Sequence, residues 1–207
     1  MSIVKLNNKA VSNATAFGSI TSLGSMTFIK KLTASSSATL SFVNGTDGVV
    51  LDDTYKEYVF TFKDIHPATD NAELQFNMST DSGSNYNITK TSTTFLAYHS
   101  GTTDSNANLV YDGNYDLAQG TGFQNIAFNI GNGNSECASG TLQLFNPSST
   151  TFVKHFICNT SVYESDNRNF NCFTAGYGNT TSAVDAIQFK MISGNIDAGD
   201  ICLYGIA

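Results

Sequence analysis

The chain has 207 residues, of which 41% are hydrophobic and 13% are charged, and its formal net charge at pH 7 is -7. This length suits a single domain that buries a core without disulfides or metal ions, and the hydrophobic fraction excludes intrinsic disorder. Because the chain holds only ten Lys and Arg residues, it has no basic stripe to neutralise phosphates. Nucleic acids and anionic membranes are therefore excluded as partners.

The first 26 residues differ in composition from the rest of the chain. They are poor in aromatic residues, and glycines interrupt any regular element. Phe17, Ile20 and Leu23 lack a regular pattern that would bury them within this segment. We interpret residues 1–26 as an extended N-terminal arm, which either contacts a neighbouring subunit or lies along its own domain. These three residues are the candidate assembly contacts.

Alternating apolar and polar residues, typical of β-strands with one buried face, recur from residue 27 onward. The clearest pair of strands is residues 58–63 and residues 73–78, with turn residues at His66–Pro67 and Asp70–Asn71 between them. Further strands are predicted at residues 27–32, 37–43, 93–98, 140–145, 151–158, 184–192 and 200–206. The side chains predicted to be buried are those of Phe60, Phe62, Leu74, Phe76, Ile187, Phe189, Ile201 and Leu203.

Clusters of Gly, Asn, Asp and Ser separate these segments, and no helical period of apolar residues persists for three turns. The sequence therefore predicts an all-β fold, with residues 27–207 forming an antiparallel β-sandwich of two sheets. Because the predicted strands are separated by loops of unequal length, a jelly roll is favoured over an up-and-down barrel.

Residues 100–139 are polar and thinly apolar, which predicts an elaborated surface loop. Tyr111, Asn114 and Tyr115 combine aromatic surface with adaptable hydrogen-bonding groups. Recognition loops favour this mixture over that of a permanent hydrophobic interface. We therefore predict that these three residues contact a host protein or glycan.

No set of residues in the sequence is typical of catalysis. His66 precedes a proline at a predicted turn, where a histidine is usually structural, and no two carboxylates stand out as a glycosidase pair. The four cysteines lack the close spacing of zinc sites, and the first residues contain no apolar run of signal-peptide length, so we expect free thiols in a chain made in the cytosol. We expect no enzyme activity, cofactor or metal centre, while a calcium ion in an acidic loop stays open.

Two segments resemble known proteins. They are GSMTFIKKLTASSSATLSFVNGTDGVVLDDTYKEYVFTFKDIHPATDNAELQFNMSTDSGSNY, residues 24–86, and GYGNTTSAVDAIQFKMISGNIDAGDICLYGIA, residues 176–207. Both are similar to small virion structural proteins of marine tailed bacteriophages. The resemblance implies a structural component of the virion, assembled in the host cytoplasm, and transfers no catalytic residue.

Three roles fit this resemblance. A tail fibre or receptor-binding module would touch the host surface with its loops, whereas a capsid decoration protein would grip the shell with its arm and one sheet face. A carbohydrate-binding or depolymerase domain is the least favoured, because the chain has no Trp and no evident carboxylate pair. We expect a tail-associated module that contacts other virion proteins and forms a homo-oligomer, with a trimer favoured.

Overall fold

A computed structural model describes residues 26–103 and 105–206. Its strands, in chain order, are β1 (Met26–Thr33), β2 (Leu40–Val43), β3 (Glu57–Pro67), β4 (Ala72–Ser79), β5 (Lys90–Ser100), β6 (Ala107–Tyr111), β7 (Gln124–Ile130), β8 (Ala138–Phe145), β9 (Lys154–Glu164), β10 (Arg168–Gly178), β11 (Ala186–Met191) and β12 (Ile196–Ile206). A 3₁₀ turn at Gly113–Tyr115 is the one helical element in these ranges. They contain no helix long and apolar enough to cross a membrane.

All strand pairs are antiparallel, and they join the twelve strands into one hydrogen-bonded sheet. One series of neighbours runs β1, β12, β3, β8, β9, β10, β5, β6. A second series runs β7, β4, β11, β2, and it joins the first where Ile130 of β7 pairs with Glu164 of β9. The sheet thereby curls until it is nearly closed into a barrel.

The predicted all-β antiparallel fold is confirmed, but its finer form as a two-sheet sandwich with jelly-roll topology is not. The difference lies at β7 and β9, where the Ile130–Glu164 pair links strands that a sandwich would keep in separate sheets. The two series of strands nevertheless face each other across one core. Phe42 of β2 lies 5.4 Å from Phe60 of β3, ring centre to ring centre, and Phe76 of β4 lies 5.0 Å from Phe156 of β9.

The core predicted from alternation is confirmed. The eight side chains named for it are all buried, and they are Phe60, Phe62, Leu74, Phe76, Ile187, Phe189, Ile201 and Leu203. Strand β9 shows the physical origin of the pattern, because every second residue from Phe156 to Val162 is buried and the residues between them face outward. Burial of this much aromatic and aliphatic surface is the main stabilising contribution to the fold.

Residues 100–139 are more regular than the predicted surface loop, since they contain β6, the 3₁₀ turn and β7. Ile126, Phe128 and Ile130 of β7 are fully buried. Ala127 and Asn129 lie between them, and Ala127 is buried as well, so apolar and polar residues do not alternate regularly along β7. In the predicted N-terminal arm, Phe17, Ile20 and Leu23 lie outside the described residues, which start with Met26 at the beginning of β1.

Candidate contact site and outer face

The candidate contact site follows edge strand β6 and consists of Tyr111 and the 3₁₀ turn after it. Asp112 caps the turn, because its carboxylate accepts hydrogen bonds from the backbone N–H of Asn114 at 3.1 Å and from its side-chain amide at 2.9 Å. The Tyr111 hydroxyl donates to the carboxylate of Asp116, and this bond raises the pKa of Tyr111. Tyr111 is 65% exposed, and Asn114 is also exposed. The site therefore presents an aromatic ring and an amide on an ordered turn.

Tyr115, the third predicted contact residue, lies behind this surface. Its ring stacks on Phe128 of β7 with ring centres 4.0 Å apart, and its hydroxyl lies 3.4 Å from the side-chain oxygen of Asn129. Burial, together with the negative charges of Glu73 and Asp112, raises the pKa of Tyr115 to about 12. Tyr115 therefore fixes the turn to the core, and it brings Tyr111 and Asn114 to the surface together.

A second surface was not foreseen from the sequence. The outward side chains of β5, β8, β9 and β10 form one continuous sheet face, which we call the outer face. It consists of Thr91, Thr93, Phe95, Ala97, His99, Ser139, Thr141, Gln143, Phe145, His155, Ile157, Asn159, Ser161, Tyr163, Asn169, Asn171, Phe173, Ala175 and Tyr177. None of these is Asp, Glu, Lys or Arg. The available signal in the sequence was the run Phe156–Ile157–Cys158, which is apolar on both faces of its strand.

Two lysines are buried inside the fold, and their surroundings differ. The Lys154 ammonium donates to the carbonyls of Ser149 and Phe152 at 2.7 Å and to the carbonyl of Thr180 at 3.2 Å. Three acceptors match the three N–H bonds of a charged amine. Lys154 thus ties together the two loops that precede β9 and β11, although its own burial lowers its pKa.

Among the described residues, the Lys90 amine has two acceptors rather than three. It donates to the side-chain oxygen of Asn77 at 2.6 Å and to the carbonyl of Ile88 at 2.8 Å. A neutral amine has two N–H bonds, so this environment suits the uncharged form. Loss of hydration lowers the pKa of Lys90 to about 7. Asn77 also donates to the carbonyl of Tyr86 at 2.7 Å, so the pair secures the chain entering β5.

The most buried ion pair lies at the β9–β10 hairpin. The Arg168 guanidinium donates from two nitrogens to the carboxylate of Glu164, at 2.7 and 2.9 Å, and Glu164 is buried. The guanidinium also lies over the rings of Phe170 and Tyr98, at 5.2 and 5.7 Å from their centres. These contacts stabilise the hairpin. They also pair the buried Glu164 carboxylate with a positive charge.

The remaining reactive side chains are dispersed. His66 and Pro67 are the last residues of β3, paired with β12, so the turn predicted there is wrong and lies instead at residues 68–71. The Nε2 atom of His66 lies 3.2 Å from the carbonyl oxygen of Gly133 at the surface, and the four cysteines are free thiols. Burial raises the pKa of both Cys158 and Cys172, which makes these thiols poor nucleophiles at neutral pH. Within residues 26–103 and 105–206, no three His, Cys, Asp or Glu side chains are grouped so as to hold a metal ion.

Comparison of the chain with known proteins adds no relative. No protein-family model, no curated protein and no solved structure matches the sequence or the fold. Function therefore has to be inferred from the contact site, the outer face and the residues that support them.

Proposed function

We propose that this chain is a non-enzymatic structural protein on the surface of a bacteriophage virion, associated with the tail, where its contact site touches the host surface. The virion part of the proposal comes from the resemblance of residues 24–86 and 176–207 to small phage virion proteins. Its partners are other virion proteins, further copies of the chain and a host-surface protein or glycan. It acts without a cofactor, without binding nucleic acid and without inserting into a membrane.

The observation that carries the host-contact role is the geometry around Tyr111. The aromatic ring is 65% exposed, yet its hydroxyl is held by Asp116 and the adjoining turn is held by Asp112 and Tyr115. A ring that is exposed and already ordered loses little conformational entropy when a partner binds it. Tyrosines in this state, next to amide groups such as that of Asn114, are typical of recognition surfaces.

Capsid decoration is the second candidate role, and the outer face supports it. A broad sheet face without Asp, Glu, Lys or Arg suits a lasting protein contact better than a transient one, because the centres of permanent interfaces are depleted in charge. In that role the outer face would lie against the shell and the contact site would have no host ligand. The two roles differ in whether the isolated chain binds host cells.

Cell binding by the purified chain tests the host-contact role. We expect Tyr111→Ala to weaken binding by about tenfold or more, because the truncation removes an aromatic anchor. The matched control is Phe28→Ala, since Phe28 is 57% exposed on β1, at the far end of the first series of strands from β6. Equal binding by both variants and the unmodified chain, or no cell binding by any of them, contradicts the host-contact role.

A further inference from the structure

The outer face carries a ridge of aromatic rings. Phe95 of β5 and Phe173 of β10 are directly opposite in the strand register. Their ring centres are 4.9 Å apart and their planes differ by 10°, so the rings stack against each other. The separation equals the spacing between strands, and the rings therefore stand upright on the sheet with their edges toward solvent. Phe95 remains 43% exposed.

A groove runs beside this ridge. Its floor is the next outward pair in the register, Thr93 and Ala175, whose side chains are small. Tyr177 and His155 form the far wall, and Ile157 projects at one end with 49% of its surface exposed. The groove consists of two adjoining depressions. One of about 150 Å³ borders Phe95 and Phe173, and one of about 490 Å³ extends from Ala175 to Tyr177 and His155. Ridge and groove lie two residues apart along each strand, a separation of about 7 Å.

Such a face is complementary to itself. A twofold axis that runs between the ridge and the groove, parallel to both, places the ridge of one copy over the groove of another. The same rotation places the ridge of the second copy over the groove of the first, as an isologous interface requires. In proteins with two stacked sheets, the sheets lie about 10 Å apart and their side chains interdigitate. The aromatic ridge of one copy in the groove of the other would pack in the same way.

Charge and size also favour a second copy as the occupant. Each chain has a formal net charge of -7, so two copies repel least where they meet over a surface without carboxylates, and the outer face as defined by its four strands is such a surface. Four strands, three of them 11 residues long, cover about 36 by 19 Å, or roughly 700 Å². A stable interface of standard size buries about 800 Å² on each partner.

A glycan fits this face less well than a protein. Sugar rings stack on the open faces of aromatic side chains, whereas Phe95 and Phe173 cover one face of each other and direct their edges outward. We propose that two copies of this chain dimerise through their outer faces, with the Phe95–Phe173 ridge of each copy in the groove of the other. This pairing replaces the trimer that the sequence favoured. Tyr111 of β6 is the register partner of Phe95, so it lies at the end of the ridge, on the edge of the proposed interface.

Sedimentation equilibrium of the full-length chain over a wide concentration range tests the proposal. The unmodified chain is expected to have twice its monomer mass of 22.1 kDa. Ile157→Glu puts two carboxylates into the dimer interface, and we expect it to raise the dimer dissociation constant by about tenfold or more. Ala175→Phe fills the groove without adding charge, and it should have the same effect.

The matched control is Ile192→Glu, because Ile192 is 52% exposed, about as much as Ile157, but lies beyond β11 and off the outer face. Circular dichroism of each variant shows whether it is folded. A dimer that dissociates with both groove variants and not with the control supports the proposal. A monomeric unmodified chain, or an oligomer that survives both groove variants, overturns it. The measurement needs no virion, so its failure is distinct from failure of the proposed virion role.

Discussion

Phe189 is the residue whose truncation should cost the fold most. It lies on β11, is fully buried and contacts aromatic rings on three other strands. Its ring centre is 5.3 Å from that of Phe62, 5.4 Å from Phe60, 6.3 Å from Phe42 and 6.4 Å from Phe76. Phe189→Ala would therefore open a cavity between strands that face each other across the core, where none of the surrounding rings can collapse without disturbing its own partners.

We expect Phe189→Ala to lower the free energy of unfolding by about 5 kcal/mol, the upper end of the usual range for a buried phenylalanine. For a domain of this size the melting temperature should fall by roughly 10 °C or more. Urea unfolding followed by circular dichroism measures the change, with Phe152→Ala as the control because Phe152 is 68% exposed. A loss below about 1 kcal/mol for Phe189→Ala, or equal losses for both variants, would refute the packing described here.

Two further predictions concern buried charge. Burial lowers the pKa of Lys90 from 10.5 to about 7. At a pH between these two pKa values, Lys90 is protonated in the unfolded chain and neutral in the folded protein. The free energy of unfolding should therefore rise with pH over this range. Lys90→Met should reduce that rise, whereas Lys56→Met at an exposed position should keep it; identical pH profiles for Lys90→Met and the unmodified chain would contradict this. Arg168→Met should cost about 3 kcal/mol in urea unfolding, because it leaves the buried Glu164 carboxylate unpaired. Asp166→Asn, at an exposed carboxylate, should cost under about 0.5 kcal/mol, and equal costs for both variants would argue against the pair.

Local alternation was enough to predict much of the fold. Each segment predicted as a strand contains or overlaps one, and the side chains predicted for the core are buried. The sequence did not predict strand β10, because two of its outward positions are Asn169 and Asn171 and its C-terminal end contains Gly176 and Gly178. These residues disfavour strands by themselves, but β10 pairs along its whole length with both β5 and β9.

Two features left only weak traces in the sequence: the closure of the sheet into a barrel, and the uncharged outer face. The link between β7 and β9 is a single residue pair, Ile130 with Glu164, and no local pattern reports a contact between residues so far apart in sequence. On β9, the outward Ile157 lies among buried apolar neighbours, so its strand shows no alternation there. Lys90 was missed as a buried residue because a lysine in a strand usually marks the solvated face.

For the candidate site, sequence patterns indicated which residues to consider but not their arrangement. Tyr111 and Asn114 are exposed, whereas Tyr115 packs on Phe128, and composition alone does not distinguish these positions. The difference arises because β7 is a buried strand beneath the turn. The sequence instead predicted β7 to be part of a surface loop. Their role in host contact stays a prediction.

The location of the protein in intact phage particles tests the central claim most directly. An antibody raised against the purified chain, imaged on purified particles by electron microscopy, should label the tail if the chain is a tail-associated virion protein. Label on the head would instead support the decoration role. Particles that carry no label, and whose purified proteins do not include this chain by mass spectrometry, would contradict a virion function altogether.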